Sequence, residues 1–594
     1  MPVDLRALCP WLVCCTLLAA APVVAAEGTT LRTEAEQSGF HRTGRYAEVE
    51  RLCATFAEHY PDAVSCESFG VTPEGRTMRL LVVSRTGALS AEKARERRLP
   101  VLLLQGGIHA GEIDGKDASF LALRQLLDGE VAPKALEQIV VLFVPVFNID
   151  GHERFGAWNR PNQRGPEEMG WRTTGQNLNL NRDYIKAEAP EMRQMLALID
   201  RWDPIAFADL HATDGAQFEH DISIMVEPVH SGSYAMRDAG RALRNAVIQQ
   251  LTEQGSLPIP FYPSFITYDD PSSGIQDGVA PPRFSQTYMA LRNRFGMLVE
   301  THSWRTYPER VKSTRNTIIA LVEQTAREGR SWRRLADAAD RDSRDLAGES
   351  VPVTYTTSQN SRQIEFRGYA YTRTPSEISG VLMTRYDETT PQIWTIPIFD
   401  EVIPGLKAEL PGHAYVIPAA HADWMADKLR LHGVQFEQMP ESLSAVSVQQ
   451  FEATEVKFAE ASFEGRQRLS VTGQWSATTT TIAAGSLLVP VGGNNGHLLA
   501  ALLDPQAPDA FLAWGFFNNA FEGKEYMEPY VAEAVAREML AKDPEVAQAF
   551  NERLASDPAF ASNPQARLEF FYRRHSAWDE RRNVYPVLRL DHAP

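Results

Sequence analysis

At 594 residues the chain exceeds the ~100 to 200 residues of a typical domain, so its 44% apolar content is expected to fill a catalytic unit and at least one further domain. Its 59 basic residues are outnumbered by 76 acidic ones, and the formal charge of -17 repels phosphate backbones and anionic lipid surfaces. Nucleic acid and membrane-surface binding are therefore disfavoured.

The chain opens with Arg6 in a short polar start, an apolar run from Leu12 to Ala26, and Val24, Ala25 and Ala26 just before Glu27. This is the layout of a secretory signal peptide over residues 1–26. The run is short, alanine-rich and interrupted by Pro22, which argues against a membrane anchor, and no other stretch is long enough to span. An exported protein, periplasmic or secreted and without stable membrane insertion after cleavage, is the expectation. Cys9, Cys14 and Cys15 fall in the leader, leaving Cys53 and Cys66 to form one disulfide or to remain as two buried thiols.

From Thr43 to Ser84 the pattern predicts an amphipathic helix (Val49, Leu52, Phe56), a turn at Tyr60-Pro61-Asp62, and strands around Cys66 to Phe69 and Arg79 to Val83. Four apolar runs follow, Val101 to Leu104, Ile139 to Phe147, Ile205 to Leu210 and Gly296 to Val299, nearly unbroken as in strands covered on both faces. Helical stretches such as Ala118 to Leu127 and Ala189 to Trp202 lie between them, predicting an α/β domain with a central, mostly parallel sheet flanked by helices. A polar, charged segment between Trp332 and Val351 reads as a linker, separating a catalytic domain over 27–340 from an α+β accessory domain over 350–594. In that second part Val351 to Thr356, Gln363 to Thr372, Gly380 to Tyr386 and Gln392 to Phe399 read as strands. Tyr530 to Ala541, Glu545 to Leu554 and Ala566 to Arg574 read as helices.

After the strand Val101 to Leu104 comes Gly106-Gly107-Ile108-His109-Ala110-Gly111-Glu112, a glycine-rich turn with a His and a Glu three residues apart. Imidazole and carboxylate are both good zinc ligands, yet with 14 histidines a His-x-x-Glu pair arises by chance about once in such a chain. The other candidates change the odds. His211 ends the strand from Ile205, Glu300 ends the strand from Gly296, and sites of open α/β sheets gather at the carboxyl ends of strands. His109, Glu112 and His211 then form a three-ligand set with an open fourth position, as in catalytic zinc sites, and Glu300 is the carboxylate free to act as general base. The plain alternative is a set of satisfied polar groups at strand ends.

The sequence from about Tyr46 to Val311 resembles the zinc carboxypeptidases of the carboxypeptidase A type. Six motifs stand in the family's order: the turn Gly70 to Arg76, His109 to Glu112, Asn148-Ile149-Asp150-Gly151, Asn-Leu-Asn-Arg-Asp from Asn179 to Asp183, Asp209-Leu210-His211, and Glu300. The resemblance implies one Zn2+ per chain on His109, Glu112 and His211, and a peptide substrate whose terminal carboxylate is bound by Asn181 and Arg182. It also implies an arginine that stabilises the oxyanion, among Arg160, Arg164 and Arg172 with Arg172 or Arg164 preferred, and a tyrosine that closes on the substrate, for which Tyr288 is the nearest choice. The chain departs from the pattern at Asn179, where an aspartate usually orients the first histidine; an amide oxygen accepts the same hydrogen bond without charge. His302, after Glu300, reads either as a substrate contact or as a packed histidine.

The leading expectation is a zinc metallocarboxypeptidase hydrolysing C-terminal peptide bonds, with zinc-bound water activated by Glu300. A deacylase of the aspartoacylase type, acting on N-acyl amino acids or cell-wall peptides, shares the His-x-x-Glu and the later His. An inactive peptide-binding protein is the third reading, and retention of the full ligand set together with Glu300 argues against it. Asp269, Asp270 and Asp277 hint at basic substrates and Arg283 at the opposite. The aromatic runs at Trp514 to Phe517 and Phe570 to Tyr572 read as core or as the floor of a groove.

Overall fold

The computed structural model describes residues 31–594, so the expected leader lies outside the described residues. Nine strands belong to the first part of the chain: β1 (Val64–Val71), β2 (Thr77–Val83), β3 (Val101–Gly106), β4 (Val140–Val144), β5 (Ala206–Thr213), β6 (Ile222–Glu227), β7 (Pro258–Ile259), β8 (Ile275–Gln276) and β9 (Phe295–His302). Eight of them form one mixed sheet in the order β1-β2-β4-β3-β5-β9-β6-β7. The pairs β4–β3, β3–β5, β5–β9 and β6–β7 are parallel. The pairs β1–β2, β2–β4 and β9–β6 are antiparallel.

The central strands β3, β4, β5 and β9 are buried along their whole length, which is why their sequences carry no alternation. Asp209 accepts a hydrogen bond from Ser285 in the helix Ser285–Leu291, whereas its neighbour Leu210 meets Gly115 in the helix Asp114–Asp128. Successive strand residues point to opposite faces, so helices cover both. Gly115 has no room for a side chain, because a Cβ would sit 2.7 Å from Leu210.

The expected linker is not one. Helix Tyr307–Asp342 runs through its first half, started by a capping box between Thr306 and Glu309. Its last turns keep Trp332, Ala336 and Ala339 buried at helical spacing, and Arg294 anchors Asp340 at 3.0 Å. The charged composition marks the solvent face of a helix, and the chain leaves it at Ser343–Asp345.

Beyond it the protein is rich in strands. After β10 (Ser350–Pro352) and β11 (Tyr355–Thr357), two long strands, β12 (Arg362–Pro375) and β13 (Leu382–Phe399), form a hairpin. The expected strands at Gly380 and Gln392 are thus parts of one strand, paired across an irregularity at Tyr369/Ala370. β13 also pairs in parallel with β8, joining Ile398 to Ile275. An antiparallel six-stranded sheet follows in the order Glu437–Gln438, Leu487–Pro490, Ala414–Ile417, Leu588–Leu590, Leu443–Phe458, Leu469–Ile482. The helices Pro529–Lys542, Pro544–Ser556 and Pro564–Tyr572 pack round Phe550, Phe570 and Phe571. Trp514 and Phe517 are fully buried, as the core reading of both aromatic runs expected.

Cys53 and Cys66 form a disulfide across a separation of 13 residues, linking the helix Tyr46–His59 to β1. Closing so short a loop is worth about 3 kcal/mol. Cys66→Ala is therefore expected to lower the first thermal transition in calorimetry by several degrees. Reductant should reproduce the shift in the wild type and add nothing in the variant.

Candidate metal centre and substrate cleft

The turn after β3 needs a positive φ at Gly107 (+61°) to reverse the chain above the sheet, which brings His109 and Glu112 back over the ends of β3 and β5. Parallel register then sets His211 directly beside Glu300. His109, Glu112 and His211 are all buried, and one ligand atom from each lies within 4.8 Å of the others. Glu112 Oε1 sits 2.9 Å from His109 Nδ1 and 2.8 Å from Arg160 Nη2. Its Oε2 sits 3.0 Å from His211 Nδ1 and accepts from the Ala212 amide at 3.1 Å.

The outer nitrogens are held as well. His109 Nε2 lies 3.3 Å from Asn179 Oδ1, and His211 Nε2 lies 3.1 Å from Asp209 Oδ2. Asp209 accepts in turn from Gln105 at 2.9 Å and Ser285 at 2.7 Å. Two inward Nδ1 atoms and one carboxylate, each oriented from behind, are a donor set that suits zinc. Glu300 Oε2 is buried and has no hydrogen-bond partner among the described residues.

The electrostatics follow from burial and neighbours. Burial, with Arg172 and His211 nearby, pushes His109 down to about 4 against the pull of Glu112. Burial also opposes the charged form of His211, but Asp209, Glu112 and Glu300 outweigh it and hold its pKa well above the usual value. Glu112 is desolvated too, yet His109 and Arg160 keep it ionised. Burial, helped by Glu112, Asp209 and Asp214, pushes Glu300 up to about 8. A divalent cation at the ligand cluster draws such a carboxyl back down.

His109, Glu112 and Glu300 line a cleft of roughly 650 Å³ together with Arg160, Arg172, Asn181, Arg182 and Tyr262, with His211 beside Glu300 in the register of β5 and β9. Arg182 forms no ion pair among the described residues. Its Nη1 donates to the Asn181 carbonyl at 2.8 Å, and its guanidinium covers the Phe284 ring at 4.4 Å. Arg172 reaches within 3.5 Å of Glu112.

Two expected residues lie elsewhere. Arg164 is drawn away by an ion pair with Glu388 of the β12–β13 hairpin and by the Trp304 ring. Tyr288 is fully buried behind the sheet, 3.0 Å from His432 Nδ1. Of the two tyrosines that line the cleft, Tyr262 and Tyr355, Tyr262 accepts from Thr213 Oγ1 at 2.9 Å; its place in the loop after β7 leaves no periodic trace in the sequence. Arg160, the less favoured of the three arginines, is the one nearest Glu112. His302 is a packed histidine, stacked on Phe218 at 3.9 Å.

The far end of the cleft carries Glu227, His230, Arg244 and Asp277. His230 lies 3.0 Å from Glu227 and 3.8 Å from Asp277. Asp269 and Asp270 are occupied instead by Thr384 and Arg373, and Arg283 by Asp509 at 2.6 Å.

Residues 49–254 match the sequence profile of the zinc carboxypeptidase family. The chain carries a zinc carboxypeptidase domain. Similar proteins include an inactive metallocarboxypeptidase, ecm14, of Schizosaccharomyces pombe, 37% identical over 103 residues that make up 16% of this chain and 20% of that one. Carboxypeptidase B of Astacus astacus is 29% identical over 108 residues, 18% of this chain and 33% of the crayfish protein. The chain spans about a fifth to a third of the length of these curated relatives. Among solved structures, the carboxypeptidase A of Helicoverpa armigera aligns at a TM-score of 0.34 and 16% identity, over 50% of this chain and 75% of that one.

Replacing Glu112 by Ala is expected to reduce zinc in dialysed protein from about one ion per chain to near none, measured by atomic absorption. Asn179→Asp restores a charged partner for His109 and is expected to slow zinc loss to a chelator about tenfold.

Proposed function

We propose that the protein is an exported zinc metallocarboxypeptidase that hydrolyses the C-terminal bond of peptides, with His109, Glu112 and His211 holding the ion and Glu300 as general base. The observation that carries this reading is the meeting, in one cleft, of the ligand set, a buried carboxylate oxygen with no partner, and the Arg182 guanidinium with no ion pair. When bound, zinc supplies a Lewis acid that polarises the scissile carbonyl and acidifies water.

The chain's own groups do the rest. Asn181 and Arg182 hold the terminal carboxylate, which suits an amide donor beside a planar guanidinium. Glu300 takes a proton from the attacking water and passes it to the leaving amine. Arg160 and Arg172, at the cleft wall beside Glu112, receive the carbonyl oxygen as it gains charge. Tyr262, at the rim and part-exposed, takes the substrate-closing role expected of Tyr288. Glu227, His230, Arg244 and Asp277 give the far end of the cleft both signs of charge, which favours a polar side chain over a bulky apolar one. Export rests on the leader-like N-terminus. Among the described residues no helix is long and apolar enough to cross a membrane.

A mixed peptide library incubated with the zinc-loaded protein and read by mass spectrometry is expected to lose C-terminal residues stepwise. Glu300→Gln is expected to lower kcat/KM by about 10²- to 10⁴-fold with zinc still bound. Bound zinc without any trimming would sink the carboxypeptidase reading and direct attention to N-acyl amino acids.

A further inference from the structure

The segment that binds the substrate carboxylate is not held by the catalytic unit alone. Between the long strands Leu443–Phe458 and Leu469–Ile482 of the six-stranded sheet, the chain narrows to a two-residue turn at Glu464-Gly465. Phe463 and Arg466 close it by paired backbone hydrogen bonds of 2.8 and 3.1 Å. Both turn residues have positive φ, +50° at Glu464 and +78° at Gly465. The first position of such a turn ordinarily takes Asn, Asp or Gly, so a glutamate there is held in a backbone conformation that costs free energy and calls for a compensating contact.

That contact is on the page. Glu464 Oε2 accepts from the Asn179 amide at 3.2 Å, 285 residues away in sequence. Asn179 is the hub of the segment: its Oδ1 accepts from the Asn181 amide at 3.1 Å and faces His109 Nε2. The turn is itself fixed from behind. Arg466 Nε pairs with Glu188 at 3.0 Å and its guanidinium covers Phe516 at 3.9 Å, while Phe463 stacks on the buried Trp514 at 5.9 Å. The carboxylate of Glu464 also lies near enough to Arg182 to offset, in part, the burial and the neighbouring Arg172 and Arg283 that disfavour its charge.

We propose that Glu464 is a positioning residue through which the C-terminal unit orients the Asn179–Arg182 segment, so that the carboxylate anchor is complete only when both units are docked. The proposal rests on the reading of Asn181 and Arg182 as that anchor. It assigns the C-terminal unit a part in substrate affinity, acting through the backbone of Asn179 and not through contact with the reacting atoms.

The test uses full-length, zinc-loaded protein carrying Glu300→Gln to stop turnover, with N-acetyl-tetra-alanine as free acid and as C-terminal amide, bound in calorimetry. The parent is expected to prefer the acid. Adding Glu464→Ala is expected to weaken the acid about tenfold and leave the amide unchanged, since one charge-assisted hydrogen bond is removed. Glu464→Gln, which keeps an acceptor at the same reach, is expected to lose less. Zinc content and circular dichroism identify a variant that has simply failed to fold, and in that event the conservative Gln variant carries the comparison. Equal weakening of acid and amide, or none at all, with the parent's preference intact, overturns the role of Glu464 alone. A parent that does not prefer the acid overturns the anchor itself, and the inference falls with it.

Discussion

A carboxylate taken out of water has to be surrounded by donors, and Glu112 is the carboxylate on which this molecule depends. Its two oxygens face two imidazoles, a guanidinium and a backbone amide. These partners come from three parts of the chain, so satisfying one buried charge fixes the turn after β3, the end of β5 and the loop that carries Arg160. Gly111 allows the last of these approaches, because any Cβ there would press within 2.6 Å of the Arg160 side chain. The cluster is an electrostatic knot first, and its fitness as a donor set for a metal follows from the same convergence.

What could be read from the sequence and what could not divide along physical lines. The central strands were legible because burial on both faces leaves an unbroken apolar run, and the parallel order placed His109, Glu112, His211 and Glu300 on one edge. The positions of Arg164 and Tyr288 were not legible, because loops of variable length decide which arginine and which tyrosine turn inward. Arg164 was claimed by Glu388, some 220 residues on, and Tyr288 by His432. The charged stretch after Trp332 misled for another reason: the outer face of a long helix and a solvated linker share a composition, and only the sparse spacing of Trp332, Ala336 and Ala339 tells them apart.

The second unit is not an appendage. The β12–β13 hairpin reaches Arg164 and Phe218 on one side of the cleft, and the Glu464 turn reaches Asn179 on the other. β11 contributes Tyr355, Thr356 and Thr357 to the cleft wall. Lys428 is buried against the carbonyls of Lys186 and Ala187 at 2.6 and 2.9 Å, so the contact between the units includes a buried amino group. Part of the cleft wall therefore belongs to a stretch of the chain that carries none of the expected chemistry.

The place of the strand Leu588–Leu590 bears on how such a molecule comes into being. It lies between Ala414–Ile417 and Leu443–Phe458, in the middle of its sheet, with Arg589 buried on Asp504 and over the Trp475 ring. The two halves of that sheet are therefore bridged by a strand far from both in sequence, and contacts of such long sequence separation form slowly. The long hairpin beside it, whose turn meets Asn179, gains its inner neighbour only through that strand. Along the chain, His109, Glu112 and His211 precede by more than 350 residues the strand that completes the sheet behind the Glu464 turn.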